Sequence, residues 1–148
     1  MKRLLSTLAL LLGSASASEF ASAPDALVRS FIADYAAWNA QSVKRGFSLE
    51  ALGRSEEEYG ALIAKYCRPG FKHQPVTYGD DSMHEVDSER VVSVEEQGGK
   101  ALVRTRHTSK HAKGEFIADF EYQLSKDASR WYLDGVLYVD SKGKYEGL

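Results

Sequence analysis

Residues 116–124 read FIADFEYQL, and their alternation decides the fold. Phe116, Ala118, Phe120, Tyr122 and Leu124 alternate with Ile117, Asp119, Glu121 and Gln123. Successive side chains of a strand point to opposite faces, so this stretch predicts a strand with one apolar face. The polar, turn-like stretch 125–130 follows. Next comes a second strand, Trp131 to Val139, with Trp131, Leu133, Leu137 and Val139 expected on one face. Gly135 inside it marks a bulge or a close backbone approach. Toward the N-terminus, Leu102 to Thr108 and Val91 to Glu96 show the same period. They are joined by Gln97-Gly98-Gly99-Lys100, whose glycines suit a tight hairpin. His73 to Tyr78 reads as a further short strand, and residues 140–148 as a turn and short tail.

Before residue 72 the period changes to that of helices. Ser22-Ala23-Pro24-Asp25 is a helix start, with Ser22 a cap candidate and Pro24 in the first turn, where it loses no hydrogen bond. Val28, Phe31, Ile32, Tyr35 and Trp38 then share a face, and Gly46 is the expected stop. Phe47 to Arg54 reads as a short connector with Leu49 and Leu52, with room for one helical turn. Ser55-Glu56-Glu57-Glu58 matches a capping box that would open a second helix through Tyr59, Leu62, Ile63 and Tyr66. Arg68-Pro69-Gly70 ends it. Helices first and an antiparallel meander afterwards predict an α+β fold, with the helices on one face of a strongly curved sheet. Such a sheet forms a cone whose mouth can hold a pocket.

The first residues have the order of an export signal. Lys2 and Arg3 precede the apolar run Leu4–Leu12, and Ala15-Ser16-Ala17 supplies a small-residue cleavage site. The run is far shorter than the ~20 residues that span a bilayer, so no membrane span is expected. Residues 1–17 are therefore expected to be cleaved near Ala17, leaving 18–148 as one domain in the periplasm or outside the cell. Without Lys2 and Arg3, 17 basic side chains face 21 acidic ones, a net charge of −4. That balance argues against a nucleic-acid partner, which would need a basic stripe. Cys67 is the only cysteine, so no internal disulfide can form. It could be reactive, could pair between chains, or could pack as a small apolar side chain near a helix end.

The amphipathic helix with Phe31, Tyr35 and Trp38, the helix ending in Tyr66-Cys67, and the terminal stretch RWYLDGVLYVDSKGKYEGL (residues 130–148) together resemble the NTF2-like superfamily. The terminal stretch looks most like the NTF2-fold immunity proteins of bacterial polymorphic toxin systems. The resemblance implies a helix-lined conical sheet and a protein that binds and neutralises a cognate toxin or effector. The superfamily also includes SnoaL-like and ketosteroid-isomerase-like enzymes, scaffold domains and transport factors, so a periplasmic small-ligand binder or enzyme using the cone is the alternative. A homodimer through the outer sheet face is a further expectation of the resemblance.

A proton-transfer enzyme of this kind needs a buried carboxylate or His and an oxyanion stabiliser. His107, Asp119, Glu121, Tyr122, Asp134, Tyr138 and Tyr35 have suitable chemistry. Alternation separates them: Asp119 and Glu121 lie opposite Phe120 and Tyr122, and Asp134 opposite Trp131. No catalytic pair is visible, and no P-loop, G-x-S-x-G or Ser-His-Asp order is present. The residues expected to line a pocket are Tyr35, Trp38, His107, Tyr122 and Trp131. His107 and His111 sit among Lys and Arg, which disfavours a cation, and Asp80, Asp81, Glu85 and Asp87 lack the spacing and central Gly of an EF-hand. Neither a metal nor a cofactor is expected. The acidic segment Asp80 to Glu89 is instead expected to dock against a basic cleft of a partner, with Tyr138 and Tyr145 as aromatic anchors.

Overall fold

The computed structural model describes residues 23–128 and 130–148; the expected signal peptide, its cleavage site and Ser22 lie outside these residues. Helices α1 (Pro24–Arg45) and α2 (Leu49–Tyr66) precede strands β1 (Glu89–Gln97), β2 (Lys100–His111), β3 (Gly114–Asp127), β4 (Arg130–Val139) and β5 (Lys144–Glu146). The strands form one antiparallel sheet in the order β1-β2-β3-β4-β5, and both helices lie against it in an α+β arrangement. No helix of the described residues is long and apolar enough to cross a membrane.

Helix α1 begins at Pro24, and Ala23 occupies the cap position without a side-chain bond. It stops at Gly46, whose φ of 91° lets its N–H reach back to the carbonyls of Ser42 and Val43. Helix α2 starts earlier than the capping-box reading has it. Ser48 is the cap, its hydroxyl accepting from the Ala51 N–H at 3.1 Å. Ser55 is buried inside the helix and accepts from Arg45 Nη1 at 2.9 Å, while Glu58 binds Arg45 Nη2 through both oxygens at 2.8 Å. The early turns escaped the periodicity because their two leucines point to solvent: Leu49 is 89% exposed and Leu52 40%. Cys67 closes the helix; it is 2% exposed, and burial pushes its thiol up to about 12.

Residues 73–78 form no strand. Pro75 cannot donate to a ladder, and the segment is fastened by single bonds at Gln74 N–H to the Leu148 carbonyl (2.8 Å) and Tyr78 hydroxyl to the Gly46 carbonyl (2.6 Å). The Gln97–Lys100 hairpin turns on Gly98 (φ 58°) and Gly99 (φ 75°), both left-handed as a two-residue turn requires. Strand β5 arises in the stretch expected to be a tail.

The phase of β4 is also corrected. Gln123 pairs with Gly135 and Leu124 with Leu133, so Asp134 is the extra residue of a bulge. Beyond it Val136 and Tyr138 point toward the helices with Trp131 and Leu133, while Leu137 and Val139 take the other face. A bulge shifts every later side chain by one step, which strict alternation cannot foresee.

The core lies between the helices and one sheet face. Phe31 meets Tyr66 at 5.4 Å and Tyr122 at 6.1 Å, in edge-on contacts, and Trp131 and Leu133 close the β4 end. Each such burial contributes roughly 1.5–3 kcal/mol of transfer free energy. The opposite face carries the acids that alternation placed there. Arg104 on β2 pairs with Glu95 on β1 and with Glu121 on β3 (3.4 Å), Lys144 on β5 reaches Glu121 at 2.7 Å, and Arg106 pairs with Asp119 at 2.7 Å. Lys144 and Arg104 hold the Glu121 carboxyl below its ordinary range, and Arg106 does the same for Asp119.

Candidate functional site

Strand β1 enters the sheet at Glu89, directly opposite His107 of β2. That register turns the Glu89 side chain toward the helices, where it has no exposed area. An unpaired carboxylate there would be prohibitively costly, and the surroundings supply three donors. Tyr122 of β3 donates its hydroxyl to Oε1 at 2.8 Å, Thr105 of β2 donates to the same oxygen, and His84 Nδ1 meets Oε2 at 2.8 Å. The His84 ring is held between Tyr35 (4.9 Å) and Phe120 (4.6 Å). Burial and the Glu89 charge drive Tyr122 well above the ordinary phenol range, so its hydroxyl keeps its proton and acts as a donor.

His84 belongs to the acidic segment, and its insertion pins that segment to the sheet. The amide of Asn39 clamps the segment's start, donating to the Gly79 carbonyl at 2.8 Å and accepting the Gly79 N–H at 3.1 Å. At its end the N–H groups of Ser88 and Glu89 both reach the Glu85 carbonyl. The Ser88 hydroxyl lies 3.0 Å from His107 Nδ1.

These anchors leave a cleft of about 630 Å³ between the segment and the ends of β2 and β3. Asp80, Asp81 and Glu85 form one lip, His107, His111 and Phe116 the other, and Met83 and Ser88 also line it. His107 is 4% exposed, and burial lowers its pKa against the opposing pull of Glu89, the Met83 backbone and Glu85. The ring is therefore neutral near pH 7, and in the tautomer with its hydrogen on Nε2 the Nδ1 atom accepts from the Ser88 hydroxyl. A larger hollow of about 910 Å³, at the β1–β2 hairpin end, is lined by Glu95, Lys100, Gln123 and Asp134 among others, and Asp134 there accepts from the Ser125 hydroxyl at 2.9 Å.

Of the residues expected to line a pocket, His107 lines the cleft. Tyr122 and Trp131 fill the core, and Trp38 sits between the helices with its indole N–H on the Ser55 carbonyl at 2.9 Å. Tyr35 is half-buried against His84; burial alone raises its pKa. Of the expected partner-binding residues, Asp80, Asp81 and Glu85 come together at the cleft and Asp87 is exposed outside its lining. Tyr138 and Tyr145 pair with each other across β4 and β5 at 6.2 Å, Tyr138 against Phe120. The aromatic that reaches the cleft is Phe116, 42% exposed.

Sequence reasoning missed Ser88, His84 and the burial of Glu89. Glu89 shares its phase with Val91, an inward position, and that was the one available signal of a buried acid. His84 carried none, because nothing local distinguishes a ring that plugs a core from one in solvent.

Among protein-family models, curated proteins and solved structures, no match to this chain is found.

Proposed function

We propose that this chain is a binding protein, acting in the periplasm or outside the cell after loss of its leader, that neutralises a bacterial toxin or effector and has an NTF2-like conical sheet. The observation that carries this reading is the filled interior. Phe31, Tyr66, Tyr122 and Trp131, all less than 2% exposed, occupy the space between helices and sheet that a small-ligand chamber would need. The buried carboxylate there is engaged by three donors and has no lone function left to offer a substrate. Three acids, Asp80, Asp81 and Glu85, instead line the cleft together with one exposed aromatic, Phe116. An aromatic anchor beside complementary charge suits capture of a basic protein surface.

The test is genetic and physical together. The product of each adjacent gene is expressed in the periplasm with and without this chain, and growth and complex formation are measured. Rescue of growth with a stable complex is expected, weakened by the combined D80N, D81N and E85Q substitutions. If no adjacent-gene product is toxic, or toxicity is unrelieved, the reading fails.

The alternative, a small-ligand binder or enzyme, draws its support from the same cleft, which places the neutral His107 on the wall of an open 630 Å³ space.

A further inference from the structure

We propose that Ser88 is a nucleophile, with His107 as its base, that takes an acyl group from activated esters entering the cleft. This reactivity goes beyond the binding reading and stands or falls without it.

The geometry has the parts such a step requires. Ser88 Oγ is 3.0 Å from His107 Nδ1, within reach for direct proton transfer, and both residues line the cleft. His107 is almost wholly enclosed, which keeps the imidazole unprotonated and able to accept the proton. The groups facing it are the Met83 backbone, Glu85 and His84 from the acidic segment, Glu89 from β1 and Phe116 from β3. Of these the Glu89 carboxylate, fixed by Tyr122, Thr105 and His84, supplies a standing negative charge that favours the imidazolium as it forms. Unlike the acid of a triad, which also orients its imidazole by a hydrogen bond, Glu89 acts on His107 through its charge alone.

In the step, Ser88 Oγ attacks the ester carbonyl carbon while its proton passes to His107 Nδ1. The carbon–oxygen bond to the leaving group then breaks, and His107 returns the proton to the departing aryloxide. The products are acyl-Ser88 and a phenol, with the imidazole neutral again; attack by water would later release the carboxylic acid.

The amides near Ser88 set the expected scale. The Ser88 and Glu89 N–H groups are bonded to the Glu85 carbonyl and that of Thr108 to the Ser88 carbonyl, so they are not directed at a developing oxyanion. The gain is then that of general-base assistance, about 10²–10⁴-fold. These three amides supply none of the roughly 10²–10³-fold contribution of an oxyanion donor. Aryl esters with good leaving groups should therefore acylate Ser88, and turnover should be slow. The cleft holds its own control: Ser109 Oγ and His111 Nε2 are also 3.0 Å apart, but that His is exposed.

The test incubates the full chain with p-nitrophenyl acetate and locates acetyl groups by peptide mass spectrometry. One acetyl on Ser88 is expected, with Ser109 unmodified, and its rate should be level above about pH 6.5 and fall at lower pH as His107 gains a proton. Ser88→Ala should remove the adduct, and His107→Gln should slow Ser88 acetylation about 100-fold. Acetylation confined to lysines, labelling of Ser109 as fast as Ser88, or an unchanged Ser88 rate in His107→Gln would overturn the proposal. Should His107→Gln fail to fold, a pH-independent Ser88 rate in the unaltered chain would overturn it equally.

Discussion

Glu89 and Tyr122 stand on strands separated by β2, yet the Tyr122 hydroxyl donates to Glu89 Oε1 at 2.8 Å across the Thr105 position. One contact therefore joins the first strand, the central strand and, through His84, the segment that forms the cleft lip. It is a polar tie inside an aromatic core, and such ties are costly when half made.

Replacing Glu89 with Leu should cost about 3 kcal/mol, because it strands the Tyr122 and Thr105 hydroxyls and releases His84 in a dry environment. Glu89→Gln should cost less, since its carbonyl oxygen still accepts from the two hydroxyls. Urea unfolding followed by fluorescence measures both. A loss below about 1 kcal/mol for the Leu variant would mean that the network contributes little.

His107 gives the stability a pH dependence of defined sign. Its folded pKa is lowered, chiefly by burial, so the unfolded chain binds more protons in the range between the two values. Its contribution is fully present above the unfolded value of about 6.5 and is lost as pH falls through the lower folded value. Thermal unfolding at a series of pH values should show a difference between the unaltered chain and His107→Gln that changes as pH falls below about 6.5 and levels off above it. A difference that stays constant from about pH 5 to pH 8 would contradict this.

Ser48→Ala should destabilise the protein by about 1 kcal/mol, and Ser48→Gly by only a few tenths, as a helix cap requires. Chemical denaturation reads both. If Ser48→Ala is neutral, α2 does not begin there.

Cys67 should be inert to Ellman's reagent at about pH 8 in the folded protein and react at once in denaturant. The thiol is 2% exposed and its pKa is pushed up to about 12, so almost no thiolate exists to attack. Rapid reaction of the folded chain would show that the α2 end opens readily.

The α+β class, the two helices followed by four of the five strands, and the split of β3 into an apolar and a charged face were legible from residues 116–124 outward. Those features follow from local periods, which a side chain and its near neighbours carry in full. The strand expected at 73–78 does not form, and β5 occupies the stretch expected to be a tail. The start of α2 was not legible, because Leu49 and Leu52 in its first turns face solvent. The phase of β4 beyond Asp134 was not legible either, because a bulge leaves only a glycine as its trace.

The site divides in the same way. His107 was identifiable as a polar residue on a strand, and Asp80, Asp81 and Glu85 as an acidic segment. Their meeting around one cleft with Phe116 was decided by the docking of that segment on the sheet. The sequence by itself determined which faces are apolar and which are charged in α1 and β3, where no bulge intervenes. The tertiary structure alone decided that Glu89 is buried, that His84 plugs the core, and that Ser88 faces His107. Those outcomes depend on donors contributed by β2, β3 and the segment before β1, and no local period records which distant strand will supply a partner.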